Sequence, residues 1–395
     1  MTGILFVDDE ELVLQGLRTA LRPERKRWDM VFASSGEEAA RSLEEHHFDV
    51  VVTEARMPGM DGVQLLSIVK ERQPGAARLV LSGDTDEAAN RRFLNLAHQF
   101  LAKPARPEVV REALDRTCRL RALLADERLV ALVGDTDTLP VPPALLARLD
   151  AALADPDASL RDVAEIVEGD PAMCAKVLQV VNSAFFGLPR HVGRLAEAIS
   201  YLGLAALRHL VLSVAVVGGW SCRSPAAARV VADVRARGLP TGALARTIAT
   251  ELGVAGRDEA FLAGVVHDAG ILMLASRMED RYAAIAASAD AAGEPLHQAE
   301  ARELGVTHGA AGAYLLGLWG LPTPVVEAIA HHHDPAGLDP DRFDLAAVLH
   351  VAEALVAERT GSGDRCRLDT DHLQRHGMAD RVGAWRAGLD AGLAA

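Results

Sequence analysis

Val50-Val51-Val52-Thr53-Glu54-Ala55-Arg56-Met57-Pro58-Gly59-Met60-Asp61-Gly62 is the stretch that decides the fold of this 395-residue chain. Three β-branched residues lead into a carboxylate, a Pro-Gly turn follows, and a helix starts afresh at Asp61. A continuous Val run reads as a parallel strand covered on both faces. The carboxyl ends of such strands are where an open α/β sheet carries its chemistry. Working outward, further strands are expected at 4–7, 30–33, 79–81 and 99–102, with the Val run itself spanning 48–53. Helices are expected at 12–21, 35–46, 60–71 and from 84 to about 96. Alternating strands and helices joined by short loops predict a doubly wound α/β domain with five parallel strands over residues 1–125.

The strand ends carry polar groups: Asp8 and Asp9, Glu54, Ser82, and Lys103 followed by Pro104. Clustered carboxylates can hold a hard cation through oxygen ligands, and a hydroxyl and an ammonium beside them can receive phosphoryl oxygens. These motifs resemble the receiver domain of bacterial two-component response regulators, a flavodoxin-like fold. The resemblance implies that Asp8 and Asp9 match the Mg²⁺-binding acids, Ser82 the switch hydroxyl, Phe100 the aromatic switch position and Lys103 the phosphate-sensing lysine. The phosphoacceptor position, three residues before Met57-Pro58, holds Glu54 where the family has Asp. Glu is longer by about 1.5 Å, so its carboxylate can reach where a phosphoryl group would lie, and it is poorly placed for in-line attack. Three readings stay open: Glu54 mimics the phosphorylated state, Glu54 pairs inertly with Lys103, or Glu54 is itself phosphorylated.

Composition bounds the rest. Half of the residues are hydrophobic and 24% are charged, as in an ordinary globular protein. The formal net charge of −14 argues against a general nucleic-acid or anionic-membrane surface. Four cysteines, Cys118, Cys174, Cys222 and Cys366, lack metal-site or disulfide spacing and suit a reducing cytoplasm. The N-terminus runs straight into a strand, so no signal peptide is expected. No apolar run is expected to reach membrane-spanning length.

From Pro107 to about 133, apolar residues recur near every 3.5 positions, which reads as the last receiver helix extended as a rigid rod, favoured over a short dimerising coil, with 126–137 as a helical linker. Beyond the Pro-rich break at 139–143 every segment reads helical, so residues 138–358 are expected to be an all-α domain and 359–395 a helical tail that packs back on it. Ser159-Leu160-Arg161-Asp162 reads as a capping box, and Thr323-Pro324 as an N-cap followed by Pro at the first helical position. Leu139-Pro140 with Pro142-Pro143, Asp170-Pro171, Asn182-Ser183-Ala184-Phe185-Phe186-Gly187 and Ala198-Ile199 through Leu202-Gly203 resemble the HDOD domain, a relative of the HD metal phosphohydrolases. Read without that resemblance, Phe185 and Phe186 are core residues and Asn182 is a helix-end cap.

The candidate chemistry of this domain lies in His267, Asp268, His308, His332, His333 and Glu353. Imidazoles and carboxylates drawn from several helices can build a metal site. The HD resemblance implies a first-helix His, the His-Asp pair and a final Asp. A helix at 241–252, starting at Pro240-Thr241, supplies no such His, the final position is Glu353, and no Gly-Tyr-Pro follows His332-His333. Two readings follow: a vestigial metal site, or a buried polar network. His331 is expected to face solvent. The expectation is a response regulator whose HDOD domain signals by protein–protein contact, in the cytoplasm, without nucleic acid or membrane. Mg²⁺ in the receiver is admitted, a transition metal in the HDOD domain is not expected, and a homodimer is admitted through the resemblance alone. The rival is a receiver-gated, metal-dependent phosphohydrolase acting on a nucleotide or cyclic dinucleotide.

Overall fold

The computed structural model describes residues 1–82, 96–103, 107–121, 124, 126–136, 145, 148–149, 151–152, 159–182, 192–201, 207, 224–254, 256–337, 342–361 and 366–392. The chain divides into two compact units; the first contains Met1–Asp137, Gln179–His191 and Tyr314–Gly320, and the second contains Thr138–Leu178, Val192–Ala313 and Leu321–Ala395.

The first unit is built on β1 (Thr2–Val7), α1 (Glu11–Ala20), β2 (Trp28–Ala33), α2 (Gly36–Glu45), β3 (Val50–Glu54), α3 (Gly62–Arg72), β4 (Ala77–Ser82), β5 (Gln99–Ala102) and α4 (Pro107–Arg121). The five strands are parallel in the order β2-β1-β3-β4-β5, the doubly wound arrangement that the alternating pattern predicts. Val50, Val51 and Val52 are fully buried because helices cover both faces of the central strand. Leu5, Val7, Val51 and Val80 pack with Leu65, Leu66 and Val69 of α3 on one of these faces. Ser35 caps α2 by accepting from the Glu38 amide, and Asp61 with Gln64 closes a capping box on α3. The helix expected at 84–96 lies outside the described residues, apart from its end.

The rod expected from Pro107 to 133 does not form. α4 ends at Arg121, and a separate helix, α5 (Glu127–Gly134), starts under an extended Asp126 whose side chain caps the Arg128 amide at 2.7 Å. The α5 end is held on the receiver by Arg78, a fully buried guanidinium of β4 that donates to the Gly134 carbonyl at 2.9 Å. A Cβ at Gly134 would collide with the Pro74 carbonyl, so only glycine permits this approach. Periodicity alone carries no information about such a docking point.

The second unit is helical: α6 (Leu160–Glu168), α7 (Pro171–Val181), α8 (Pro225–Leu252), α9 (Arg257–Val266), α10 (Ala269–Ala292), α11 (Leu296–Leu304), α12 (His308–Leu318), α13 (Thr323–His331), α14 (Leu345–Thr360), α15 (Thr370–Arg375) and α16 (Val382–Gly392). The Ser159–Asp162 capping box forms on α6. Thr323 is the first helical residue of α13 and follows Pro322, one position from the expected cap. The helix expected to start at Pro240 is instead the second half of α8, with Pro240 inside it. One lost backbone hydrogen bond is tolerated there because α8 packs against α9, α10 and α14 along its length. A Cβ on Gly264 would lie 2.5 Å from the Gly242 Cα, so the backbones of α8 and α9 nearly touch.

Arg257–Ala292 does reach membrane-spanning length, with a mean hydropathy of 1.4 in its most apolar window, contrary to expectation. It is interrupted at His267-Asp268 and 83% of that window is buried inside the protein, as for a core helix. In the tail, Trp385 is buried and its indole N–H donates to Glu251 at 2.8 Å, which fastens α16 to the end of α8.

Candidate functional site

Two polar clusters stand out, one in each unit. In the first, strand register does the positioning. Val7 pairs with Thr53, so Asp8 and Glu54 emerge side by side at the ends of β1 and β3. Ser82 pairs with Ala102, which places Lys103 at the same edge of the sheet. The Lys103 ammonium lies 2.6 Å from Asp8 Oδ2 and also pairs with Glu54 Oε2. The second Glu54 oxygen accepts from the amides of Ala55 at 2.7 Å and Arg56 at 3.3 Å. Burial opposes the charge of Lys103, but hydrogen bonds to Asp8 and Glu54 outweigh it and hold its pKa above the ordinary value. Asp8 Oδ1 accepts from the Glu10 amide at 3.0 Å, and Asp9 is exposed. Both Asp8 oxygens are therefore engaged, and a cation bound there would have to draw Asp8 away from Lys103. The side chains of Ser82 and Phe100, and Pro104, lie outside the described residues.

The second cluster brings together every residue singled out in the helical domain. His267 and Asp268 form the corner between α9 and α10, His308 opens α12, His332 and His333 follow α13, and Glu353 projects from α14. Five of the six side chains are buried and His333 is at the margin, 9% exposed; His331, expected in solvent, is half-buried. His267 Nδ1 lies 2.8 Å from the Gly264 carbonyl and His332 Nδ1 lies 2.6 Å from the Ile329 carbonyl. A carbonyl can only accept, so both Nδ1 atoms carry the proton and both Nε2 lone pairs point inward. His332 Nε2 is 3.6 Å from Glu353 Oε2, and His333 Nδ1 is 3.8 Å from the same oxygen. These three atoms, with His267 Nε2, have no hydrogen-bond partner.

Three further participants belong to no sequence motif. Arg237, buried in the middle of α8, donates to Asp268 Oδ2 at 2.6 Å. Burial raises the Asp268 pKa, but His267 and Arg237 outweigh it and hold this carboxyl well below the usual range. Glu300 of α11 is fully buried, accepts from Tyr282 and takes His308 Nδ1 at 2.7 Å. Burial opposes the charge of His308, but Glu300 and Asp268 raise its pKa to about 9. Cys366, from the tail, closes the far side of the cluster beside His333 and Glu353. Burial, then the Asp268 charge, pushes Glu353 up to about 8, while burial pushes His267, His332 and His333 down. Arg237 stands in a run of Ala, Val and Arg without a motif; a buried arginine opposite a buried aspartate is a pairing that only the helix crossing makes.

The sheet with acids and a lysine at its carboxyl edge, followed by a helical domain with a buried His-Asp pair, defines a receiver joined to an HD-like module. Residues 4–115 match the response regulator receiver domain and residues 139–335 match the HDOD domain. The chain belongs to the response regulators that carry a receiver and an HDOD domain. An uncharacterized protein of Treponema pallidum is 25% identical over 223 residues, covering 56% of this chain and 41% of that protein. The hydrogenase transcriptional regulatory protein HoxA of Cupriavidus necator is 31% identical over 137 residues, covering 34% of this chain and 28% of its own length. The chain thus spans less than half the length of these relatives. Among solved structures, the MmoQ response regulator of Methylococcus capsulatus is similar at 24% identity and a TM-score of 0.49, covering 64% of this chain and 97% of that one.

Proposed function

We propose that this response regulator works without phosphorylation at its receiver, and that its HDOD domain is a non-catalytic module that signals by binding a protein partner. The observation that carries the receiver half is the Glu54 carboxylate, tied at one oxygen to Lys103 and at the other to the Ala55 amide. A fixed anion bonded to the phosphate-sensing lysine stands in for the phosphoryl group. Mg²⁺ would be held by Asp8 and Asp9, and Lys103, bonded to Asp8, would have to give way to it.

For the HDOD half, the supporting observation is Arg237. HD-type hydrolysis needs Asp268 as a ligand for a divalent ion that polarises the phosphoryl group. Here Asp268 already holds a buried guanidinium at 2.6 Å. Arg237 holds Oδ2 and leaves Asp268 Oδ1 without a hydrogen-bond partner, so a metal at this carboxylate would sit beside a guanidinium in a low-dielectric interior, which disfavours an HD-type catalytic ion. The domain boundaries proposed are 1–125, 126–137, 138–358 and 359–395, with action in the cytoplasm and no nucleic-acid or membrane ligand.

Incubation with acetyl phosphate followed by intact-mass analysis tests the receiver. The wild type is expected to gain no phosphoryl mass, whereas Glu54→Asp is expected to gain one per chain. A wild-type gain that Glu54→Gln abolishes would overturn this reading. The HDOD half is tested by turnover of nucleotide and cyclic-dinucleotide phosphodiesters with added Mn²⁺; hydrolysis lost on His267→Ala would establish the rival phosphohydrolase.

A further inference from the structure

The connector helix α5 ends against a second side chain besides Arg78. His98 is 2% exposed and is the last residue before β5. Its Nε2 lies 2.9 Å from the Gly134 carbonyl, and its Nδ1 lies 3.0 Å from the Arg78 amide nitrogen. An amide N–H only donates and a carbonyl only accepts, so Nδ1 is unprotonated, Nε2 carries the proton and the ring is neutral. The Arg78 guanidinium donates to the same Gly134 carbonyl at 2.9 Å, with its Nη2 only 3.0 Å from His98 Nε2. Two donors from β4 and the start of β5 thus converge on one oxygen at the end of α5.

We propose that His98 is a proton-operated latch on the connector: while neutral it holds the end of α5 on the receiver, and when protonated it lets α5 go.

The geometry opposes the charged ring in two ways. A proton on Nδ1 would point at the Arg78 N–H and break that bond. It would also set an imidazolium 3.0 Å from a guanidinium that is itself fully buried, a like-charge contact in a low-dielectric interior. The neighbouring groups do not offset that charge. On α4, Arg121 is engaged with Asp49 at 2.6 Å, and Arg116 donates at 2.9 Å to the side chain of Gln99, the residue next to His98. At the end of α5, Asp135 faces Lys70 of α3 at 3.8 Å. The Tyr314 phenol, in the same compact unit, is pushed up by burial and stays neutral. Among these groups cations outnumber carboxylates.

Pocket and latch lie at opposite ends of the same two strands. Ser82 and Lys103 stand at the carboxyl ends of β4 and β5, Arg78 and His98 at their amino ends. The latch therefore gives the receiver an input that needs no phosphoryl group, and it stands apart from the reading of Glu54. Helix α5 lies just before the second unit, which begins at Thr138, so its release turns the chain after Arg121 into free connector. The open form takes up the proton and the clamped form refuses it. Clamping is thus complete above the ordinary imidazole range and weakens as pH falls through it.

The test is hydrogen exchange of the full chain, read as protection factors of the α5 amides. In the wild type these should fall about tenfold from pH about 7.5 to about 5.5, the range of an ordinary imidazole, while the amides of β1 and β3 keep theirs. His98→Gln keeps a donor and an acceptor but does not titrate, and its α5 profile should be flat. Nitrogen NMR of the wild-type imidazoles gives a reading that needs no variant to fold. His98 should show an unprotonated Nδ1 and a protonated Nε2 at neutral pH, with ring protonation tracking the loss of α5 protection. Flat wild-type protection, an equal fall in His98→Gln, or an imidazolium at His98 while α5 stays protected would each overturn the latch.

Discussion

In the receiver pocket two carboxylates, Asp8 and Glu54, share one ammonium from Lys103, and further acceptors are met by backbone amides. In the HDOD cluster a single guanidinium meets one carboxylate, and several imidazole and carboxylate lone pairs are left facing one another. The first arrangement carries its own counter-ion within a half-exposed edge of a sheet. The second is largely buried and has several lone-pair atoms without a proton donor. Similar residue types therefore lead to different arrangements: in the receiver one ammonium is shared by two carboxylates, and in the helical cluster several imidazole and carboxylate atoms have no hydrogen-bond partner.

The largest effect should come from breaking the buried pair of the helical unit. Arg237→Leu removes the guanidinium from buried Asp268 and leaves only the imidazoles of His267 and His308 beside it, which costs about 3–5 kcal/mol by the usual penalty for breaking a buried pair. Urea denaturation would register it, and a loss below about 1 kcal/mol would mean that Asp268 is compensated by something other than Arg237. In the receiver, Lys103→Met removes the shared ammonium from two carboxylates, yet the lysine is 17% exposed at a solvated edge and water takes part of the load. A loss of about 1–2 kcal/mol is expected, discounted for screening, and a loss equal to that of Arg237→Leu would erase the contrast between the two clusters.

The same lysine gives the comparison a pH signature. Its folded pKa is raised above its unfolded value, so its contribution is complete below the ordinary lysine pKa and is lost as pH rises through the higher folded value. The stability difference between wild type and Lys103→Met should be flat through neutrality and shrink only in strongly alkaline solution. A difference that vanishes near pH 7 would place the ammonium elsewhere. The smallest effect calibrates the others: Ser159→Ala removes an exposed capping box from α6 and should cost about 0.5–1 kcal/mol by thermal melting.

Much of the fold was legible because its signals are local. The Val50–Val52 run, the capping residues Ser35, Asp61 and Ser159, and the polar residues after each strand all act within a few positions of themselves. The misreadings share one cause. The rod from Pro107 to 133 and the break at Pro240 are sensible readings of periodicity and of proline. The docking of Gly134 beneath Arg78 and the packing of α8 on three helices reversed them, and both are contacts between residues far apart in sequence.

The sequence by itself determined which groups could do chemistry. It marked Asp8, Glu54 and Lys103 by their places at strand ends, and the imidazole and carboxylate residues from His267 to Glu353 by their rarity in apolar helices. Only the tertiary structure decided what those groups are paired with. Arg237 reaches Asp268 across 31 positions of chain, and Cys366 arrives from a tail that carries no motif. Electrostatic interaction in a buried site depends on separation in space and on the loss of water. Neither is written in the order of the residues until the helices have crossed.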